Sequence, residues 1–390
     1  MALALMPGVH GGTFASDVLG PPPEGVGAYG ANGSAPRSTE DIWRGVEADG
    51  YISLTDPWPS AWGSVVLPPL DTTPVKAFEF AAEVRVGGGS GDNAADGFSI
   101  SFARLGDPAG AGLLDFCPMD GPYNAEEGTK TGLAIGFDTW AGNGTPDGRP
   151  EAADIIAISV RMDSVLIAQH SMVADNGTTD LPGNLLTGPR NPSWDGTLET
   201  VAESWVNLTW QPVRIRLNEG GTLDVWYKGA QVFAGLQTGF MPYEGQFVMA
   251  ARTGAANANH HLDNLQVHTT PLDSDPPVIT SATASPDVLW PPNHQMVPVK
   301  IAVAAHDVSG IAAVRIISVS SNEPENGLGD GDTRPDWVLT GDLSLQLRSE
   351  RSGGGSGRVY TVTVQCTDNA GNSSTVDVLV NVPTNMGKRR

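Results

Sequence analysis

The sequence predicts an all-β protein made of two sandwiches, and three observations carry that prediction. Gly and Pro number 48 and 30 among 390 residues while only 17% of residues are charged, a composition of frequent turns and short strands. Roughly ten segments alternate apolar and polar side chains with period two, and the 3.6-residue period of an amphipathic helix is nearly absent. A polar, Pro-bearing stretch, Thr269 to Pro277, separates two such regions and reads as a linker.

In chain order, residues 7–45 are Gly/Pro-rich, with Pro21-Pro22-Pro23, and show little periodicity; Thr39 to Val46 has room for a helical turn or two. Order begins at Gly50 to Thr55, and Ala61 to Leu67 is a second strand stopped by Pro68-Pro69. Phe78, Phe80, Ala82, Val84 and Val86 then point one way, with Glu79, Glu83 and Arg85 on the other face. Asp96-Gly97 leads into Phe98, Ile100 and Phe102, and an irregular excursion covers Leu105 to Thr131. Leu133, Ile135 and Phe137 alternate with Ala134, Gly136 and Asp138, so Asp138 ends a strand whose second face is otherwise bare. Ile156 to Met162 and Val165 to Ile167 follow, then loop from 171 to 200. Val213, Ile215 and Leu217 turn at Glu219-Gly220-Gly221 into Leu223, Val225 and Tyr227, a hairpin. Phe247 to Ala251 and Leu262 to Val267 close the first region, with Asn257, Asn259, His260 and His261 as a polar loop between them. Beyond the linker, strands are expected at 299–304, 313–319, 343–347, 359–364 and 376–382, a count that fits a small sandwich.

The net charge is −22, and it is uneven: residues 1–274 hold 13 Lys+Arg against 32 Asp+Glu, and the remainder 9 against 12. That sign argues against nucleic acid or an anionic membrane as partner and leaves carboxylates for a cation. Two cysteines, Cys117 and Cys366, make no disulfide framework. Met1 to Met6 lacks a basic flank and is a poor match to a secretory leader, and no apolar run reaches membrane-spanning length.

Chemistry concentrates where Gly132 to Trp140 runs on through Asn143 to Asp147. A strand-end carboxylate followed by oxygen-bearing loop residues suits a hard cation such as Ca²⁺ and a polar ligand; a turn-capping Asp explains the same residues without one. Asp96 before its strand is either an acceptor for hydroxyls or an ordinary Asp-Gly turn. Glycoside cleavage needs two placed carboxylates; Glu126-Glu127 adjoin in a loop, and no Glu-x-Asp-x-Glu, Gly-x-Ser-x-Gly or His-Glu-x-x-His run occurs. Asp330-Gly331-Asp332 and Asp368-Asn369 lack EF-hand spacing and read as turns.

Ala95-Asp96-Gly97-Phe98, Gly132 to Trp140, and Ala251-Arg252-Thr253-Gly254 through Leu265 come in the order of legume-type lectins, and residues 12–270 resemble that concanavalin A-like, laminin-G-like family. The resemblance implies a concanavalin A-like jelly-roll sandwich that binds glycans at strand-end loops, without catalysis. It implies a sugar cup of Asp96, Gly97, Trp140, Asn143, Arg252, Thr253, Gly254, Asn257 and Asn259, over a Ca²⁺ held by Asp138, Trp140, Asn143 and Asp147. Gly136 stands where the family carries an acidic ligand to a second metal. Residues 276–383, with Leu289-Trp290-Pro291-Pro292-Asn293-His294, Ser321-Asn322-Glu323-Pro324 and Cys366 to Asn372, resemble bacterial Ig-like modules, which implies a spacer or adhesion unit contacting other surface proteins. Together these resemblances imply a secreted or surface-attached protein. The rival expectations are a protein-binding adhesion module without a sugar site and a polysaccharide-degrading enzyme.

Overall fold

The computed structural model describes residues 11–45, 50–89, 94–108, 125–141, 155–326 and 333–386. The chain divides between Leu272 and Asp273 into two compact units.

In the first unit the strands are, in chain order, β1 (Thr13–Ser16), β2 (Gly27–Asn32), β3 (Ala35–Pro36), β4 (Ile52–Thr55) and β5 (Ala61–Val66). Next come β6 (Val75–Gly87), β7 (Gly97–Arg104), β8 (Leu133–Asp138), β9 (Ala157–Met162) and β10 (Val165–Ser171). The set closes with β11 (Gln211–Leu217), β12 (Thr222–Tyr227), β13 (Ala230–Gln237), β14 (Gly245–Arg252) and β15 (Asn259–Pro271). One sheet runs β1-β15-β6-β11-β12-β13, with β4 also on β15; the other runs β10-β9-β8-β7-β14-β5-β2-β3. All pairings between these strands are antiparallel.

The alternation read from sequence is the alternation of this sandwich. Phe78, Phe80, Val84 and Val86 of β6 face Phe98, Phe102, Ile135, Phe137 and Phe247 across one buried core. Phe98 and Phe137 stack with centroids 4.4 Å apart, and Phe78 meets Phe247 edge-on at 5.1 Å. Each such ring contributes about 1.5–3 kcal/mol by leaving water. The outward residues pair across strands, Arg214 Nε donating to Glu79 Oε1 (2.6 Å) and Arg216 to Asp224 (2.8 Å).

Three expectations are corrected. Residues 7–45 are not featureless where described: β1 pairs with β15, β2 with β5, and Ser38 caps a single helical turn, α1 (Thr39–Ile42), through a capping box with Asp41. Gly30 sits so close to the Trp62 carbonyl that a Cβ there would lie 2.6 Å from it, so β2 is defined by pairing and carries no alternating pattern to read. The polar loop expected at 257–261 is instead strand from Asn259 onward. The bare face of β8 is covered by a 3-10 turn, Ala125–Glu127, and Ser99 Oγ donates to the Ala125 carbonyl at 2.5 Å. A Cβ at Gly136 would collide with the Glu126 carbonyl and lie 2.8 Å from Ser159 Oγ, so that face is small because it is occupied.

Outside the core, a charged network backs β15. Asp56 is buried and accepts from Arg44, with His261 Nε2 at 3.4 Å, while Arg85 donates to His261 Nδ1 at 3.0 and 3.1 Å. Arg85 lies against Trp205 and Trp210, 4.2 and 4.5 Å from their centroids. Burial pushes Asp56 upward, but the His261 hydrogen bond and the Arg44 and Arg37 charges outweigh it and hold the carboxyl well below its usual range. Burial lowers both His260 and His261 to about 3, so both rings are neutral in the folded unit.

The second unit holds β16 (Val278–Ser285), β17 (Met296–His306), β18 (Ile311–Ser321), β19 (Trp337–Gly341), β20 (Ser344–Arg348), β21 (Arg358–Asp368) and β22 (Ser373–Val382). Its sheets run β16-β17-β20-β19 and β18-β21-β22 around Leu289, Val299, Ile301, Leu345, Leu347, Val362, Val364 and Val380. The edge strands β16 and β19 are mostly exposed and carry little apolar patterning, which is why the sequence does not mark them. Arg358 is fully buried, donating to Asp336 and to Tyr360 OH (3.2 Å), with Glu323 Oε2 at 3.4 Å and Glu350 Oε1 at 3.5 Å. Two of the quoted motifs meet here, because His294 Nδ1 lies 3.0 Å from Glu350 Oε2 while Glu323 comes from Ser321 to Pro324. Cys366 is a buried free thiol opposite Val314.

Candidate functional site

Three distant stretches meet at one end of the larger sheet. Gly97 opens β7 and is paired with Asp138, the last residue of β8, and with Arg252, the last residue of β14. Asp96 N donates to the Arg252 carbonyl (3.0 Å), and Thr139 N donates to the Asp96 carbonyl (2.9 Å). The Ala95–Asp96 peptide is cis. Gly97 has φ 145°, and a side chain there would lie 3.0 Å from Glu126 Cβ and 3.1 Å from Asp138 Cα. A Cβ at Gly254 would be 3.3 Å from both carboxylate oxygens of Asp96, so backbone and carboxylate face each other with nothing between.

Arg252 sets the electrostatics. Its Nε and Nη2 both donate to Glu126, at 2.7 and 2.7 Å, a bidentate fork of the strong charge-assisted kind. The same Nε lies 3.3 Å from Asp96 Oδ2. The side chains of Asp96, Arg252 and Glu126 keep 13%, 16% and 6% of their exposure, so of the two carboxylates Asp96 meets water more and lies farther from the Arg252 fork. From sequence, Glu126 was weighed only beside Glu127, as a pair of adjoining loop carboxylates, and was not placed in the cup. The signal that finds it is the run of small residues on β8, which requires a cover, and Ala125–Glu127 is that cover. Its neighbour Glu127 turns the other way, to Arg161 Nη2 at 3.1 Å.

Asp138 is partly exposed, and its Oδ1 accepts from Trp140 N at 2.9 Å, the turn-capping arrangement. Asn143 and Asp147 lie outside the described residues. The described part of the expected calcium set, the Asp138 carboxylate and the Trp140 carbonyl, consists of hard oxygens, which fits Ca²⁺ in kind. Trp140 is partly exposed.

The remaining expected cup residues lie deeper. Thr253 is buried, its Oγ1 donating to the Trp58 carbonyl and accepting from Ala61 N (2.9 Å). Asn257 is buried, and Asn259 is buried within β15, its Nδ2 donating to the Gly87 carbonyl (2.9 Å) and to Ser204 Oγ (3.0 Å). Asn259 thus ties β15 to the residues before it, a role its loop-like composition did not reveal.

In the second unit, carboxylate oxygens of Asp273, Asp307 and Asp368 lie within 4.8 Å of one another. Each accepts locally: Asp368 from Asn372 N (2.8 Å), Asp307 from Ser309 N (2.8 Å), Asp273 from Asp275 N (3.1 Å). The turn expected at Asp368-Asn369 is present, since Gly371 N donates to the Asp368 carbonyl at 3.3 Å. Asp330 and Asp332 lie outside the described residues.

No family model matches this sequence, and no curated protein matches it. Among solved structures, the chain is similar to the exoplasmic/lumenal domain of VIP36 in its Ca²⁺/Man3GlcNAc-bound form, at 19% identity and a TM-score of 0.36, covering 64% of this chain and 86% of that one. It is also similar to lectin II from Ulex europaeus, at 15% identity and a TM-score of 0.41, over 66% and 98% of the two chains. The carbohydrate recognition domain of Emp47p gives 14% identity and a TM-score of 0.38, over 66% and 95%.

Proposed function

We propose that the first unit binds glycans without cleaving them, in a cup made by the Asp96 carboxylate and the backbone of Gly97 and Arg252 to Gly254. The observation that carries this reading is the convergence of the Ala95–Phe98, Gly132–Trp140 and Ala251–Gly254 stretches on one partly exposed carboxylate faced by glycine backbone. A carboxylate offers several acceptor sites to vicinal hydroxyls, and bare backbone lets a sugar ring approach closely. Trp140, partly exposed two residues beyond Asp138, would supply an aromatic face for a sugar ring. Both cup carboxylates are engaged with one guanidinium, an arrangement that grips and holds but provides no free acid for glycoside cleavage. One Ca²⁺ at Asp138 and Trp140, completed from Asn143 and Asp147, would brace the loop after β8. The second unit serves as a spacer or adhesion module in a secreted or surface setting.

The test is a glycan array followed by calorimetric titration of the best hit. Asp96→Asn removes charge-assisted hydrogen bonds worth about 1.5–3 kcal/mol, so affinity should fall by roughly 10- to 150-fold with the fold intact. Undiminished binding by that variant would refute the cup, and capture of a protein ligand in place of any glycan would favour the adhesion reading. In the same preparation, Ca²⁺ at about 100 times its Kd should add about 2.7 kcal/mol of stability, reversed by EDTA and absent in Asp138→Ala. A melting temperature indifferent to Ca²⁺ and EDTA removes calcium from the proposal.

A further inference from the structure

We infer that Glu126 is a positioning residue of the cup: by holding the forked edge of the Arg252 guanidinium, it keeps Arg252 from closing on Asp96. The inference rests on the glycan-cup reading and deepens it by assigning what regulates the cup's acceptor.

Arg252 Nε and Nη2 present two parallel N–H groups along one guanidinium edge, and that edge can serve only one carboxylate as a bidentate pair. Two carboxylates compete for it. Glu126 holds it at 2.7 and 2.7 Å, while Asp96 Oδ2 waits 3.3 Å from the same Nε. If Asp96 took the fork instead, both of its oxygens would be occupied by N–H donors and fewer lone pairs would remain for a hydroxyl.

Glu126 is held in place to win that competition. The 3-10 turn carrying it lies on the small-residue face of β8, with Ser99 Oγ bonded to the Ala125 carbonyl at 2.5 Å. Gly97 supplies the space for the Glu126 stem, 3.0 Å from where a Cβ would stand. Glu126 is also the most buried of the three side chains, so its pair with Arg252 is the one least weakened by water. The bidentate pair therefore goes to the more buried Glu126, and Asp96 keeps the longer, 3.3 Å contact with the same Nε.

The test compares Glu126→Gln, nearly isosteric, with the double variant Glu126→Gln/Arg252→Gln. With the fork released, Arg252 closes on Asp96, and glycan affinity falls about tenfold, which is about 1.4 kcal/mol. In the double variant the competitor is gone, and binding recovers by at least about threefold over Glu126→Gln alone. A merely structural role for Glu126 predicts no such recovery, because the double variant would bind no better than the single one. A second readout needs no ligand: nuclear magnetic resonance should show slow rotation of the Arg252 guanidinium in the wild type and altered rotation in Glu126→Gln. Wild-type affinity in Glu126→Gln, no recovery in the double variant, or free rotation in the wild type each overturns the inference. Absence of glycan binding by the wild type, with rotation slow as expected, refutes the cup reading instead, so the two failures are told apart.

Discussion

Gly136→Ala tests whether the small-residue face of β8 is a packed interface or an open one. The added methyl would overlap the Glu126 carbonyl oxygen and lie 2.8 Å from Ser159 Oγ and 3.4 Å from Glu127 Cα, against about 3.5–4.0 Å for comfortable contact. Backbone cannot rotate aside, so the 3-10 turn must lift. Overpacking of this kind costs about 1–3 kcal/mol, and for a unit of this size each kcal/mol lowers the melting temperature by roughly 2–4 °C. A mid-range 2 kcal/mol therefore predicts a drop of about 4–8 °C in scanning calorimetry. Glycan affinity should fall too, because the turn that lifts carries Glu126. Gly183→Ala is the control: nothing lies within 4 Å of its Cβ position and its φ is not left-handed, so the same change should be neutral or stabilise by up to about 1 kcal/mol. A Gly136→Ala protein that melts within about 1 °C of wild type and binds normally would refute the reasoning, since the face would then be open.

Two further outcomes follow from the buried charges. Arg358→Met should destabilise the second unit by about 3–5 kcal/mol, read as loss of its calorimetric transition, because the fully buried Asp336 and Glu350 would share a single guanidinium, that of Arg348, whose Nε lies 3.9 Å from each. Acid should weaken the first unit early. His260 and His261 are depressed to about 3 by burial, so both bind protons on unfolding once pH falls below the unfolded value of about 6.5. A depressed folded pKa gives stability that is present above the unfolded value and lost as pH falls toward 3. Two protons give a slope of about 2.7 kcal/mol per pH unit within that window. Urea unfolding between pH 7 and pH 5 checks it, and a flat profile would show that the rings are accessible to protons in the folded unit.

How much of this was legible depended on how local each cause is. Alternation in β6, β7, β8, β11 and β12 was readable because one face of each meets the apolar core, while the other is solvated or, on β7 and β8, buried with small residues. Of the stretch read as a linker, Thr269 to Pro277, the first three residues are strand in β15, paired with β6, because backbone pairing at a sheet end needs no apolar pattern. Asp96, Asp138 and Arg252 stood out as polar residues at strand ends within recognisable stretches. By contrast β13 and β19 lie at sheet edges with many exposed side chains, and β2, paired with β5 and β3, is built of small and polar residues without alternation.

The chain's own order of residues was therefore enough for the all-β class, most central strands and the short list of strand-end carboxylates, since period and composition act over a few residues. Which partner each carboxylate takes was a different matter. Glu126 and Arg252 are 126 positions apart, and Asn259 lies 172 from the Gly87 carbonyl it bonds. Ion pairs and hydrogen bonds fall off within a few ångströms and ignore sequence distance, so the sharing of Arg252 between Glu126 and Asp96 came into view only once two sheets and a covering turn had brought them together.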